Sequence, residues 1–588
     1  MHTMTHRSTG AGRRPESPAG GEPVSPGDRT VRGPIRALRA GTVLLSAGAL
    51  VTGLTGVLAP PAQAAACSGQ VRYASSTNTV YLTSGTATLS DIARQCASAP
   101  LYEVDGSPGT WQLDANVVVQ NGATLSLHSA AKGGDVDRLR LNSPASNKPT
   151  EVVSVTAQYG TVDIDDVDIT SWDAEANGPD TDVSAGAGER GRAFIRVLSF
   201  LDTDGTPRQS TMNIKDSDIG YLGYYAAESY GVAYKARGCD IDHQDVCDKL
   251  DVLGEQTGSR FHDNYMGTYT FGANGMTFDR NEYDHNITYG LDPHDDSDHL
   301  TITNNHAHHN GNHGIICSQR CDHLEIVGNE SDHNGIPPHV PPGDDDPSDN
   351  QVHGIMLHRG VTDTVVRDNN VHDQPNGAGI AIFDSSNDVI EDNTITRAKY
   401  GLRYSVGSQD ITASGNTVTD SGLYAVFTYQ GSDKPMYTND TGRPERLEFT
   451  GNTFDGSAGN VAKLNQSDDL TFSENTFTGS LASGVLTQGT AGTVFAKNTA
   501  PADLTHSVKS DASTSGTIAF RDQNPVKVQL DPASSAVFTA NGLKAGASYK
   551  LLADGRTVAT GKADAKGSVT LHARPTSTAA MTYRISAA

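Results

Sequence analysis

FDRNEY at 278–283, ITNNHA at 302–307 and IVGNES at 326–331 repeat one pattern: an apolar residue, two residues, Asn, one residue, then another apolar or small residue. The pattern continues as VRDNNV at 366–371, IEDNTI at 390–395, FTGNTF at 449–454, FSENTF at 472–477 and FAKNTA at 495–500. ASGNTV at 413–418 is irregular only at its first position. The Asn residues at 281, 305, 329, 369, 393, 416, 452, 475 and 498 are spaced by 24, 24, 40, 24, 23, 36, 23 and 23. A period near 23 built from short β-branched segments, without helical periodicity, predicts an all-β chain wound as a right-handed parallel β-helix. Asn recurring at one corner is expected to stack as a ladder that satisfies turn backbone groups. The two longer steps place protruding loops near 331–350 and 428–444.

Working outward, most Asn units are followed by a Gly and a second apolar unit: Gly290-Leu291, Gly314-Ile315, Gly354-Ile355, Gly379-Ile380 and Gly401-Leu402. If the residue after Gly points inward, alternation sends the second and fourth residues outward. Registering the coils gives one outward column of Ala233, Tyr269, Asp292, Ile316, Met356, Ala381 and Arg403. A second column holds Lys235, Phe271, His294, Ser318, His358, Phe383 and Ser405. Arg320 and Arg359 lie just beyond the strand, and Tyr230, Tyr289, His313, His353 and Tyr400 just before it. Coils about 4.8 Å apart then present carboxylate, imidazole, phenol and guanidinium within a sugar ring's length.

The alternating stretch from Trp111 sets the expected start of the helical region, 111–505, after an N-terminal cap region at 65–110. Longer strands and hairpin turns over 520–588 predict a small β-sandwich-like accessory module. Residues 1–64 read as an export segment with an N-terminal extension. Arg32, Arg36 and Arg39 precede a small apolar run that ends in Ala62-Gln63-Ala64, predicting cleavage near Ala64 and a secreted, extracellular protein with no membrane span. The net charge of -25, from 44 Lys plus Arg against 69 Asp plus Glu, argues against nucleic acid as a partner. Six cysteines fall as local pairs, Cys67 with Cys96, Cys239 with Cys247 and Cys317 with Cys321, which fits disulfides outside the cytoplasm. The last pair needs a turn between its members, because four extended residues hold the Cα atoms too far apart.

YGLDPHDDS at 289–297, HGIICSQRC at 313–321 and HGIMLHRG at 353–360 resemble the mannuronan C5-epimerases of alginate biosynthesis, as do GRAFI at 191–195 and YLGYYAAESYG at 221–231. The resemblance, over roughly 105–500, implies an isomerase that inverts C5 of uronates within an anionic polysaccharide. It implies His294 as the base that removes the C5 proton, Arg320 as the neutraliser of the uronate carboxylate, and Tyr289 as the proton donor on the opposite face, with water able to substitute. Asp292, two residues from His294 on the same face, is expected to orient it or raise its basicity. Lys235, Asp295, His358, Arg359 and Arg403 are expected substrate contacts, with Asp295 alternatively supporting a neighbouring site residue or only forming the corner. The chain departs from the family at Asp296, where a basic residue often follows DPHD, and in flanking Arg320 with cysteines. A polysaccharide lyase working by β-elimination and a noncatalytic carbohydrate-binding β-helix are the alternative readings. Other readings concern metals and assembly. Of 20 His residues, 12 lie between 285 and 358, and His313 and His353 share a column, a spacing that would suit a shared metal. The Asp344, Asp345, Asp346 and Asp349 loop lacks an EF-hand pattern, so Ca²⁺ is considered only as a structural ion. No cofactor or catalytic metal is expected, and the chain is expected to act as a monomer.

Overall fold

The computed structural model describes residues 67–143, 152–182, 191–337, 352–455, 460–479, 483–501, 507–514 and 516–588. The export segment and the Asp344–Asp349 loop lie outside these residues. The described chain winds as a parallel β-helix with three sheets. One sheet runs in unbroken parallel pairing from Thr79–Leu82 through Asn116–Gln120 to Val508–Ser510 and Val526–Gln529. A second runs from Thr110–Leu113 to Thr476–Thr478, and a third from Thr86–Ala87 to Ser535–Ala540. The first of these carries the candidate site and is called the site sheet below.

The sequence folds this way because each short strand buries alternate residues. Leu291, Ile315, Ile355, Ile380 and Leu402 follow the predicted glycines and are all almost fully buried on the inner face of the site sheet. At the corner, the Asn281 amide N–H donates to Asn305 Oδ1 at 2.9 Å, Asn305 to Asn329 at 2.9 Å and Asn329 to Asn369 at 2.9 Å, and the ladder continues to Asn498. Each Asn side chain also donates down the stack, as Asn305 Nδ2 does to Phe278 O at 2.8 Å, so buried turn groups are paired. A second ladder, Asn264, Asn286, Asn310 and Asn334, lines another corner with contacts of 3.0–3.1 Å.

Helical pairing begins earlier and ends later than the sequence pattern indicates. Thr79–Leu82 already sits in the parallel ladder, well before Trp111. The helix Leu89–Gln95 closes the N-terminal end, held by a capping box between Thr88 and Asp91, with Leu89 and Ile92 turned into the core. The sandwich-like strands at the other end grow from the solenoid. Ser535–Ala540 pairs in parallel with Thr517–Arg521 on one edge and antiparallel with Val569–Ala573 on the other. One aromatic stack runs through the junction, Phe449, Phe472, Phe495, Phe520, Phe538 and Tyr583, with ring separations of 4.5, 5.6, 5.8, 5.1 and 4.8 Å. The C-terminal module therefore shares sheets and core with the helix. All three expected cysteine pairs are disulfides. Gln319 (φ 123°) and Arg320 (φ 52°) make the turn that brings Cys321 to a Cα separation of 6.4 Å from Cys317.

Candidate functional site

The two outward columns exist as aligned. Ala233 pairs with Tyr269 and Lys235 with Phe271, then Tyr269 with Asp292 and Phe271 with His294, then His294 with Ser318 and Ser318 with His358. The columns continue through Ala381 with Arg403 and Phe383 with Ser405. They floor a cleft of about 260 Å³ walled by Tyr230, Tyr265, Tyr269, Tyr289, Asp292, His294, Asp295 and Arg320, with Lys235 and Phe271 at one side. Asp240 and Ile241 form its rim from an insertion at 237–252 that the Cys239–Cys247 disulfide closes.

His294 lies on Leu291–His294 and is 6% exposed. Its ring stacks on Phe271 at 6.0 Å and leans on Tyr269 at 5.5 Å. The Asp295 carboxylate contacts Nδ1, and the Asp295 amide approaches the same atom at 3.0 Å. The carboxylate decides the protonation, because an anion at that contact needs a proton between. Burial disfavours the charged ring, yet the Asp295 contact and the charges of Asp292 and Asp295 outweigh it and raise the pKa above the usual 6.5. Both contacts occupy the Nδ1 side of the ring, which leaves Nε2 as the nitrogen free of Asp295. Asp295, expected among the substrate contacts, meets the imidazole from the cleft wall, whereas Asp292, expected to orient it, forms no hydrogen bond to it. Both Asp292 carboxyl oxygens are buried without a hydrogen-bond partner among the described residues. Burial, eased by His294 and reinforced by Asp295, pushes its pKa up to about 7.

Arg320 sits at a left-handed corner rather than on a strand, and its neighbours occupy it fully. Nε and Nη2 donate to the two oxygens of Asp296 at 3.0 and 2.9 Å, Nη2 also meets Asp295, and Nη1 donates to Tyr437 Oη at 3.0 Å and Gln319 Oε1 at 3.4 Å. A guanidinium has five N–H groups, and all five are engaged. Arg320 was expected to wait for a substrate carboxylate; here it binds two from its own chain. Asp296, the family departure, explains the difference, since it supplies the bidentate partner, and Gln244 Nε2 steadies it at 3.2 Å.

Tyr289 is buried in the cleft wall and stacks on His313 at 5.5 Å with 12° between planes. The Lys235 ammonium lies 3.8 Å from the Phe271 ring centroid. His358, Arg359 and Arg403, expected substrate contacts, do not line this cleft. His358 packs on Phe383 at 4.9 Å. Arg359 is 4% exposed and pairs with Asp433 at 2.7 Å and with Asp384 at 4.0 Å. Arg403 donates to Tyr429 Oη and contacts His353 Nε2 at 3.0 Å. The His313 and His353 rings stack at 5.1 Å and each Nδ1 accepts a backbone N–H, from His353 at 2.9 Å and from Ala378 at 2.8 Å, so those nitrogens serve the backbone.

Sequence reasoning located the 428–444 loop but not its partners. The loop folds back so that Asp384, fully buried, accepts from the Met436, Tyr437 and Thr438 amides at 2.7, 3.3 and 3.1 Å. That anchor delivers Tyr437 to Arg320 and Asp433 to Arg359.

Comparison with known proteins agrees with this architecture. A family model described as right handed beta helix region matches residues 208–338 and 346–441. Mannuronan C5-epimerase AlgG of Azotobacter vinelandii is 28% identical over 358 residues, 57% of this chain and 55% of that protein. A mannuronan C5-epimerase of Pseudomonas putida is 23% identical over 349 residues, 59% of each chain. The chain thus spans little more than half the length of these relatives. The crystal structure of the periplasmic alginate epimerase AlgG superposes with a TM-score of 0.55 at 20% identity, covering 68% of this chain and 85% of that one, which establishes the right-handed helical fold. The chain is thus similar in sequence to mannuronan C5-epimerases and shares the β-helix fold of one of them.

Proposed function

We propose that this chain, a β-helix of the mannuronan C5-epimerase kind, is an exported enzyme that inverts C5 of uronate residues within a polysaccharide. The observation that carries the reading is His294, braced on its Nδ1 side by Asp295 and turned toward a cleft that also holds Asp292, Tyr289 and Lys235. In this mechanism His294 Nε2 takes the C5 proton, and the electron pair of the broken C–H bond delocalises into the adjacent carboxylate. That carboxylate already carries a negative charge, so a cation must face it. Lys235 offers one from two coils away. Arg320 offers another only if the uronate displaces Asp296 from the guanidinium. Protonation of C5 from the opposite face by Tyr289 or a water completes the inversion.

The test is incubation of mannuronate- and glucuronate-containing polymers in deuterated buffer, followed by NMR. The expected result is C5-inverted residues carrying deuterium. Unsaturated chain ends accumulating without inversion would assign a lyase, and an unchanged panel would assign a binding protein.

A further inference from the structure

The second sheet, around the corner from the cleft, carries a checkerboard of imidazoles and carboxylates on its outer face. Glu282 pairs with His306 and His306 with Glu330, while Asp284 pairs with His308, His308 with Asp332 and Asp332 with His372. At its centre His306 Nε2 lies 2.6 Å from Asp332 Oδ1, His333 Nδ1 lies 2.6 Å from Asp332 Oδ2, and His372 Nε2 lies 3.0 Å from Glu330 Oε1. One ligand atom from each of His306, Glu330 and Asp332 falls within 4.8 Å of the others.

We propose that His306, Glu330 and Asp332, bordered by His333 and His372, form a binding site for a divalent transition ion of the zinc type, separate from the cleft. The donor set fixes the class. Calcium and magnesium take oxygen ligands, whereas imidazole mixed with carboxylate suits zinc and its neighbours. Ligand atoms each about 2.0–2.1 Å from a tetrahedral ion sit somewhat over 3 Å from one another. The 2.6 Å contact between His306 and Asp332 therefore opens by less than an ångström to admit the ion. His306, with its side chain 40% exposed, can rotate to do so, while Asp332 at 9% is held in place. The cluster is already built around positive charge. Asp332 is bracketed by imidazoles, with His306 Nε2 on one carboxylate oxygen and His333 Nδ1 on the other. The adjacent trio of Glu282, Asp284 and His308 has the same residue types but a resident cation: Arg260 holds both oxygens of Asp284 at 2.8 and 2.7 Å. It serves as the internal control.

The experiment uses untagged full-length protein, stripped with a chelator and titrated with zinc chloride by calorimetry, with metal content and melting temperature measured alongside. One equivalent should bind saturably and raise the melting temperature. His306→Ala and Asp332→Asn should each weaken binding by about tenfold or more, and calcium in excess should not compete. His308→Ala should bind like the parent. His333→Ala, at an exposed corner where loss of folding is not expected, should weaken binding more modestly. Absence of saturable binding, or equal affinity in the parent and in folded His306→Ala and His333→Ala, would overturn the proposal.

Discussion

At the scale of single residues, the Asp295–His294 contact sets the pH behaviour of the proposed base. A base works deprotonated, and the folded pKa of His294 is raised above 6.5, so the rising limb of kcat/KM is expected above pH 6.5. Asp295→Asn removes the anion that raises it. The limb should move to lower pH and the plateau should fall, and a pH–rate profile that keeps its limb would remove Asp295 from the mechanism. Arg320 separates two duties in the same way. If it only holds Asp295 and Asp296, Arg320→Lys should lower kcat while leaving KM nearly unchanged, and Lys235→Met should raise KM. The reverse split in steady-state kinetics would restore Arg320 to the substrate carboxylate. The columns holding Lys235, Asp292 and His294 were legible because alternation on a strand has a period of two, so the glycine register fixes which residues face outward. Which of Asp292 and Asp295 meets the imidazole was not legible, because Asp295 lies past the strand end, where the turn rather than the alternation directs the side chain.

At the scale of elements, corners and insertions decide what the strands present. The 428–444 loop depends on Asp384, whose loss would leave three loop amides without their acceptor. Asp384→Ala is expected to cost about 1–3 kcal/mol, read from denaturant melts, and to lower activity by releasing Tyr437 from Arg320. Tyr437→Phe should keep the stability and show the activity loss alone. The ladder makes a sharper demand. In Asn393→Ala the Asn369 amide and side chain lose their acceptor and Val366 O loses its donor, so a loss of about 1–3 kcal/mol for each buried orphan is expected. The first ladder announced itself through its own period. The second, at 264, 286, 310 and 334, recurs at nearly the same interval but stands among His and Asp residues that drew attention to chemistry instead. Tyr437 could not be found from sequence, since 117 residues separate it from Arg320 and only the winding of the solenoid brings them together.

At the scale of the whole molecule, a net charge of -25 meets the polyanionic polymer proposed as substrate. Long-range repulsion is screened by salt while the cleft contacts are less so, and association with a uronate polymer should therefore quicken as ionic strength rises from low values, as stopped-flow binding would show. Stability should depend on pH as well. His262 is disfavoured as a cation by burial but bonded to Asp218 and Asp263, and its pKa is pushed up to about 9. Its contribution is complete below 6.5 and disappears as pH climbs through 9, so melting temperature should fall across that interval and the fall should shrink in His262→Gln. The repeat made the winding readable from sequence, but the ends were not, because residues that stop a solenoid have no reason to repeat. Those ends carry a consequence of their own. A coil that pairs above and below is a unit of an unlimited fibre, and both terminal coils would offer open backbone to any other copy. The capped helix Leu89–Gln95 lies at one end and the antiparallel strands after Ser535 turn the other back on itself. They set the length of the molecule, and a chain cut before Val526 should trade solubility for head-to-tail growth.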